Sequence, residues 1–197
     1  MIKVIIQSIR QTLVWTFIAG VLYPLAITAI AQLAFHDQAN GSLVERDGKL
    51  IGSALLAQQF TGPGYFWSRP SANGYGTGPA GLAASSGSNL GPTSAQLQTN
   101  ERNNAKSLRD AHKLPGDAPV PADLIFASAS GLDPHISPEA ARFQVARVAT
   151  ARGMSEDQVT ALVEKFVEPP QWGFLGEARV NVLMLNLALD AAAVKKS

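Results

Sequence analysis

Hydrophobic and polar positions are spread very unevenly along the chain. From Thr12 to Phe35, TLVWTFIAGVLYPLAITAIAQLAF, 24 residues carry no charge, with Arg10 just before the run and Asp37 just after it. As a helix this run would be roughly 36 Å long, enough to cross a ~30 Å hydrocarbon core. Two readings fit it. A membrane anchor suits its length, because the apolar part of a signal peptide is only ~7–15 residues. A cleavable signal suits Ala29-Ile30-Ala31, which mimics a cleavage site. Lys3 and Arg10 form the basic flank that stays in the cytoplasm in either case. Residues 36–197 are therefore expected on the outer side. Thr12, Thr16 and Gly20 recur every four residues and put small side chains on one face, as a helix packing against another membrane helix would. Pro24 falls mid-span, where membrane helices tolerate a kink.

Beyond the run the pattern becomes that of a mixed domain. Asp47-Gly48 between Leu43–Arg46 and Lys49–Gly52 predicts a hairpin, because both turn positions need positive φ. Gly52 to Phe60 reads as a short helix or a strand continuation. Residues 61–92 hold eight of the 17 glycines and four of the 12 prolines, which no helix or central strand sustains. Tyr65, Phe66, Trp67 and Tyr75 make this an ordered loop pinned by aromatics, either functional or simply covering the core. A helix is predicted from Thr93 to Lys113, opened by a Thr93/Gln96 capping box, with Leu97, Glu101, Ala105, Leu108 and His112 near one face. Leu124-Ile125-Phe126 reads as a short buried strand.

Ser137-Pro138-Glu139 opens a further helix with an Ala141, Val145, Val148, Ala149 stripe, stopped by Gly153. Ser155 and Gln158 box the next, with Val159, Leu162, Val163 and Phe166 on one side and Pro169-Pro170 at its end. Trp172-Gly173-Phe174-Leu175-Gly176 is a glycine–aromatic turn. Asn181–Val194 alternates leucines as a strand would, but its length and alanine-rich end predict a helix capped by Asn181, with Lys195 and Lys196 at its negative end. The fold class is thus α+β. One N-terminal transmembrane helix is followed by a single extracytoplasmic domain with a long Gly/Pro-rich loop.

Charge and chemistry narrow the function. Without Lys3 and Arg10, 14 basic residues face 15 acidic ones, so no basic excess invites nucleic acid, and the helix pair at 137–166 is not read as a DNA reader. The absence of cysteine excludes disulfides and thiolate metal sites. Three histidines without an H-E-x-x-H pattern make a metal site unexpected. Gly76–Gly81 matches G-x-G-x-x-G, but Pro79 stands where a helix should begin, and there is no P-loop. Ser128, Ser130, Asp133 and His135 invite a hydrolase reading, yet G-x-S-x-G is missing and a structural turn fits them better. No catalytic residue is assigned, and a binding role is expected. An exported cell-wall hydrolase and a free periplasmic binding module released after Ala31 stand as alternatives.

Several blocks in order carry a resemblance over the whole chain. They are Gly52-Ser53, Tyr65-Phe66, Arg69-Pro70-Ser71-Ala72, Gly87-Ser88-Asn89-Leu90-Gly91-Pro92-Thr93, Ser130 to Pro138, Gly176-Glu177, Arg179 to Leu183 and Leu185 to Asp190. Together they resemble the C subunit of the Kdp-type potassium-transporting ATPase. Ser86 and Ala178 depart from the family pattern, where glycine and proline are usual.

The resemblance implies an accessory, non-catalytic chain of a bacterial inner-membrane complex. Its partners would be a channel-like potassium-binding subunit, a P-type ATPase subunit and membrane lipid. Its role would be that of a catalytic chaperone raising the ATP affinity of the P-type subunit. ATP and potassium then belong to the complex, with no cofactor assigned to this chain. The resemblance also implies an uncleaved span, giving a cytoplasmic N-terminus 1–11, a transmembrane helix 12–35 and a periplasmic domain 36–197. Because the domain is expected outside and ATP is inside, the effect on nucleotide is expected to act through the assembly. Arg69, Asn89, Asp133, His135 and Arg179 are the polar residues of the matching blocks, candidates for an interface or for their own turns.

Overall fold

A computed structural model of the chain describes residues 1–76 and 84–194. The residues fall into two compact units, Met1–Ser53 and Ala54 onward.

The first unit begins with α1 (Ile2–Phe17) and α2 (Tyr23–Ala34), joined without interruption through a π-helical turn at Ile18–Leu22. The result is one apolar helix of 33 residues, none of them buried. Its length of about 50 Å exceeds the hydrocarbon core, leaving turns to tilt or to reach the interface. The π turn has a local cause. Pro24 has no N–H for the Gly20 carbonyl, and its ring crowds that carbonyl. The wider turn relieves the clash, with the Tyr23 N–H reaching back five residues to the Ile18 carbonyl. A short α3 (His36–Ala39) follows. The hairpin forms as the Asp-Gly signal predicts: β1 (Leu43–Arg46) pairs antiparallel with β2 (Lys49–Ser53), and Asp47 and Gly48 sit at φ 52° and 71°. Ser53 Oγ then closes onto the Gly41 carbonyl at 2.7 Å.

In the second unit Ala54 opens a turn, so the strand continuation expected over Gly52–Phe60 reaches only to Ser53, and residues 54–60 are neither helix nor strand. Helix α4 (Ala95–His112) is capped by Ser94, whose Oγ accepts the Leu97 N–H, and not by Thr93; Gln96 bonds Asn100 one turn on. The expected strand at Leu124–Phe126 is instead a 3-10 turn over Ala122–Leu124. The N–H groups of Leu124, Ile125 and Phe126 all find carbonyls at Pro121 or Ala122, so none remains for a ladder.

The helix opened by Ser137 is two pieces, α5 (Pro138–Phe143) and α6 (Val145–Arg152), divided at Gln144. Gly153 ends α6 at φ 62°, and α7 (Glu156–Lys165) carries the Ser155/Gln158 capping box. Among the described residues one three-stranded antiparallel sheet completes this unit, in the order β3 (His135–Ile136), β5 (Arg179–Asn181), β4 (Val167–Glu168). From Asn181, whose Oδ1 accepts the Met184 N–H, the chain turns directly into α8 (Val182–Val194). Burial of Val182, Leu185, Asn186 and Leu189 with Met184 exposed follows the helical period, not the alternation of a strand. Lys195 and Lys196, like Thr77 to Gly81 of the glycine run, lie outside the described residues.

Phe66, Val148, Val159, Val163, Val180, Leu185 and Leu189 are fully buried and form the centre of one core. Ala140, Ala141 and Ala149 sit beside them, small enough to let α5 and α6 approach α7 and the sheet.

Candidate functional site

The loop beginning at residue 61 is held by buried polar side chains that face its backbone. Asn186, in the middle of α8, accepts the Phe66 N–H at 2.8 Å and donates to the Phe66 carbonyl at 2.9 Å. Gln144 does the same for Trp67, accepting its N–H at 2.7 Å and donating to its carbonyl at 3.2 Å. Each amide substitutes for a neighbouring strand, satisfying backbone that has no ladder. Arg147 donates to the carbonyls of Pro63 and Tyr65 and to Gln144 Oε1, and its guanidinium lies 4.0 Å over the Trp67 ring. Arg152 donates to the Gly64 carbonyl and to Asp190, and covers Tyr65.

Among the described residues Arg147 has no carboxylate partner, and burial pushes its guanidinium down to about 10, so it remains charged at neutral pH. It also donates from Nε to His112 Nε2 at 3.2 Å. Burial, reinforced by the Arg147 charge, drives His112 down to about 4. The ring is neutral, with Nε2 as acceptor. Its folded-state value is below the unfolded one, so this contribution to stability is complete above about pH 6.5 and is lost as pH falls toward about 4. After allowance for solvent screening of a half-buried ring, about 1–2 kcal/mol is expected to disappear over that window. Urea unfolding of the purified chain should show this slope between pH 7 and 5. His112→Gln should flatten it; an unchanged slope would assign it to other groups.

The candidate polar residues divide. Arg69, Asp133 and His135 come together. Arg69 Nη1 lies 2.9 Å from Asp133 Oδ2, and Asp133 Oδ1 accepts the His135 N–H at 3.0 Å, with His135 Nδ1 3.5 Å away. Burial raises the Asp133 carboxyl, but bonds from the His135 ring and backbone and from Arg69 outweigh it and hold the group at about 2. Asn89 is exposed, at φ 52°, and Arg179 pairs with Glu168 on the sheet at 3.0 Å. Neither joins the Arg69 cluster.

Around that cluster the segments at 69–75, 84–90 and 128–135 are sewn together. Ser71 Oγ donates to the Gly131 carbonyl, Ser86 N–H to the Ser130 carbonyl and Asn73 Nδ2 to the Ala84 carbonyl. Among the described residues neither Ser128 nor Ser130 bonds the His135 ring, so the Asp133–His135 pair meets no serine. Ser128 Oγ is buried without a hydrogen-bond partner among the described residues, and Asp133 is occupied by Arg69 and its own neighbour. Among the described residues no group of three or more His, Cys, Asp or Glu side chains could hold a metal ion.

On the apolar helix Thr16 and Gly20 are direct neighbours: a Cβ placed on Gly20 would lie 4.0 Å from Thr16 Cγ2. Thr12 borders a shallow polar dent with Gln7, Ser8 and Gln11. The sequence pattern missed Gln144, Arg147, Arg152 and Asn186. A signal for them existed: each is a polar residue inside or bordering an apolar stripe, where a solvated side chain has no place.

These features describe one class of protein: among the described residues, one apolar helix of spanning length and an α+β domain whose buried amides and guanidinium hold its own loop. The profile of the family described as "KdpC: K+-transporting ATPase, c chain" matches residues 5–191. The chain is 55% identical over 185 residues to the potassium-transporting ATPase KdpC subunit of Methylococcus capsulatus, covering 93% of this chain and 95% of that one. It is 49% identical to the corresponding subunit of Koribacter versatilis, covering 95% and 94%, and 48% identical to that of Rhodopseudomonas palustris, covering 98% and 99%. The chain therefore belongs to the KdpC family.

Proposed function

We propose that this chain is the accessory, non-catalytic subunit of an ATP-driven potassium uptake complex. It assembles or stabilises a channel-like potassium-binding subunit and a P-type ATPase subunit, and acts as a catalytic chaperone that raises the ATP affinity of the latter. The observation that carries this reading is the family match across residues 5–191. Lys3 and Arg10 set the orientation in the bacterial inner membrane: residues 1–11 cytoplasmic, 12–35 spanning, 36–197 periplasmic.

In the spanning segment the Thr12, Thr16 and Gly20 face receives another subunit's helix, since small residues there let two backbones approach. ATP and potassium are bound elsewhere in the complex. With the domain outside and nucleotide inside, the chain raises ATP affinity by favouring one conformation of its partners, through differential contacts with their states.

Two readouts test this. Protease added to intact spheroplasts is expected to remove the domain while cytoplasmic proteins survive; a protected domain reverses the orientation. Complex purified without this chain is expected to show a several-fold higher KM for ATP, and an unchanged KM refutes the chaperone role.

A further inference from the structure

The turn between β4 and β5 presents Trp172, Phe174 and Leu175 to solvent, 80%, 73% and 44% exposed. Residues 169–176, PPQWGFLG, carry no charge. Their backbone is nevertheless closed tightly on itself. Gln171 and Leu175 exchange both backbone bonds, at 2.8 and 2.9 Å, and the Gly173 N–H reaches the Pro170 carbonyl. Trp172 is held at φ 54°, in the left-handed region that a bulky L-residue adopts only under constraint, and Gly173 and Gly176 follow at 84° and 79°. The two rings stand side by side, 6.5 Å apart. At the base, Arg179 and Glu168 close an ion pair across the strands, and Glu177 follows. An ordered apolar knob thus stands on a charged collar.

We infer that this turn is a docking knob, seated in an apolar pocket of another protein subunit of the transporting complex. The inference rests on the assembled-subunit reading above. Large exposed aromatics ringed by polar residues have the anatomy of an interface anchor with its rim. A strained, hydrogen-bonded backbone presents the rings in one arrangement. That suits a shaped protein pocket; a fluid lipid surface would accept any arrangement. The collar also argues against lipid. The basic residue nearest the knob in the strand, Arg179, is engaged by Glu168, leaving no cation in 169–178 for an anionic headgroup.

The test uses the full chain, tagged and coexpressed with the other subunits. Trp172→Ala with Phe174→Ala is expected to lower the amount of partner subunit retained through a high-salt detergent wash about tenfold or more, as loss of two anchors implies. Both side chains are exposed, so the urea midpoint of the chain itself should not move. Phe174→p-benzoylphenylalanine in the wild-type background should give a light-induced adduct with a membrane subunit of the complex.

Undiminished retention together with no such adduct overturns the inference. Strong quenching of Trp172 by brominated lipid in the assembled complex assigns the knob to the bilayer and overturns it equally. If the wild-type chain retains no other subunit, the assembly reading itself fails. If wild type and variant retain them alike and no adduct forms, only the knob is wrong.

Discussion

Gln144→Leu is expected to destabilise the chain by about 3–5 kcal/mol, although leucine fills nearly the same space and α5 and α6 lose no backbone bond. The reason is what the amide holds. Its oxygen takes the Trp67 N–H and an Arg147 N–H, both at 2.7 Å, and its NH2 reaches the carbonyls of Trp67 and Ala140. Leucine leaves the Trp67 N–H and carbonyl and one guanidinium N–H without partners in a site whose centre is fully buried. Each such orphan costs about 1–3 kcal/mol, more when charged. Gln144→Glu is the informative companion. It keeps an acceptor for Trp67 and supplies the carboxylate that Arg147 lacks, but it cannot donate to the two carbonyls. Its loss should be clearly smaller than that of leucine. Urea unfolding of the purified chain, followed by tryptophan fluorescence, measures both; a leucine variant within about 1 kcal/mol of wild type would show that Gln144 does not hold the loop.

Gly131→Ala is expected to cost about 2–4 kcal/mol, from two sources that can be separated. Gly131 sits at φ 68°, where any Cβ is strained, and the Cβ would fall 2.5 Å from Asn73 Oδ1 and 2.8 Å from the Ser86 carbonyl oxygen. Asn73 could rotate. Ser86 could not retreat alone, because its N–H is bonded to the Ser130 carbonyl next to the substituted residue. Gly153→Ala supplies the control: φ is 62°, but nothing lies within 4 Å of the added atom. It should show the conformational cost alone, about 1–2 kcal/mol. A larger fall in melting temperature for Gly131→Ala than for Gly153→Ala therefore reports the crowding among the three sewn segments. Equal falls would mean that those segments part easily. Since Arg69 and Asp133 are carried on two of them, the Arg69–Asp133 bond should loosen with Gly131→Ala.

Much of the fold was legible because its signals are local. Asp47-Gly48 makes its turn from two residues that tolerate positive φ. Ser137-Pro138-Glu139, Ser155 with Gln158, and Asn181 each place an oxygen three residues before the N–H it must satisfy. Where two adjacent residues could cap, as with Thr93 and Ser94, the pattern chose the wrong one, since only the path of the incoming chain decides which oxygen faces the helix. The strands β3, β4 and β5, of two, two and three residues, are too short to show a period. Leu124-Ile125-Phe126 looked like a strand by apolarity, but its backbone was already satisfied locally.

At the candidate site the same division holds. The matching blocks carried the family, and Arg69 and Asp133 stood among their polar residues. That Arg69 meets Asp133 across 64 positions, while Asn89 and Arg179 stand apart, is not written in any spacing.

The sequence by itself determined that a long uncharged helix with a basic flank precedes a mixed α+β domain, because hydrophobic run length, caps and turn residues act within a few positions of themselves. Only the tertiary structure decided how the Gly/Pro-rich loop is held: Gln144 on Trp67, Asn186 on Phe66 and Arg147 on Pro63 and Tyr65, at separations of 77 to 120 residues. A backbone without a ladder must find its partners wherever the fold brings a buried amide or guanidinium within about 3 Å, and that distance is set by packing.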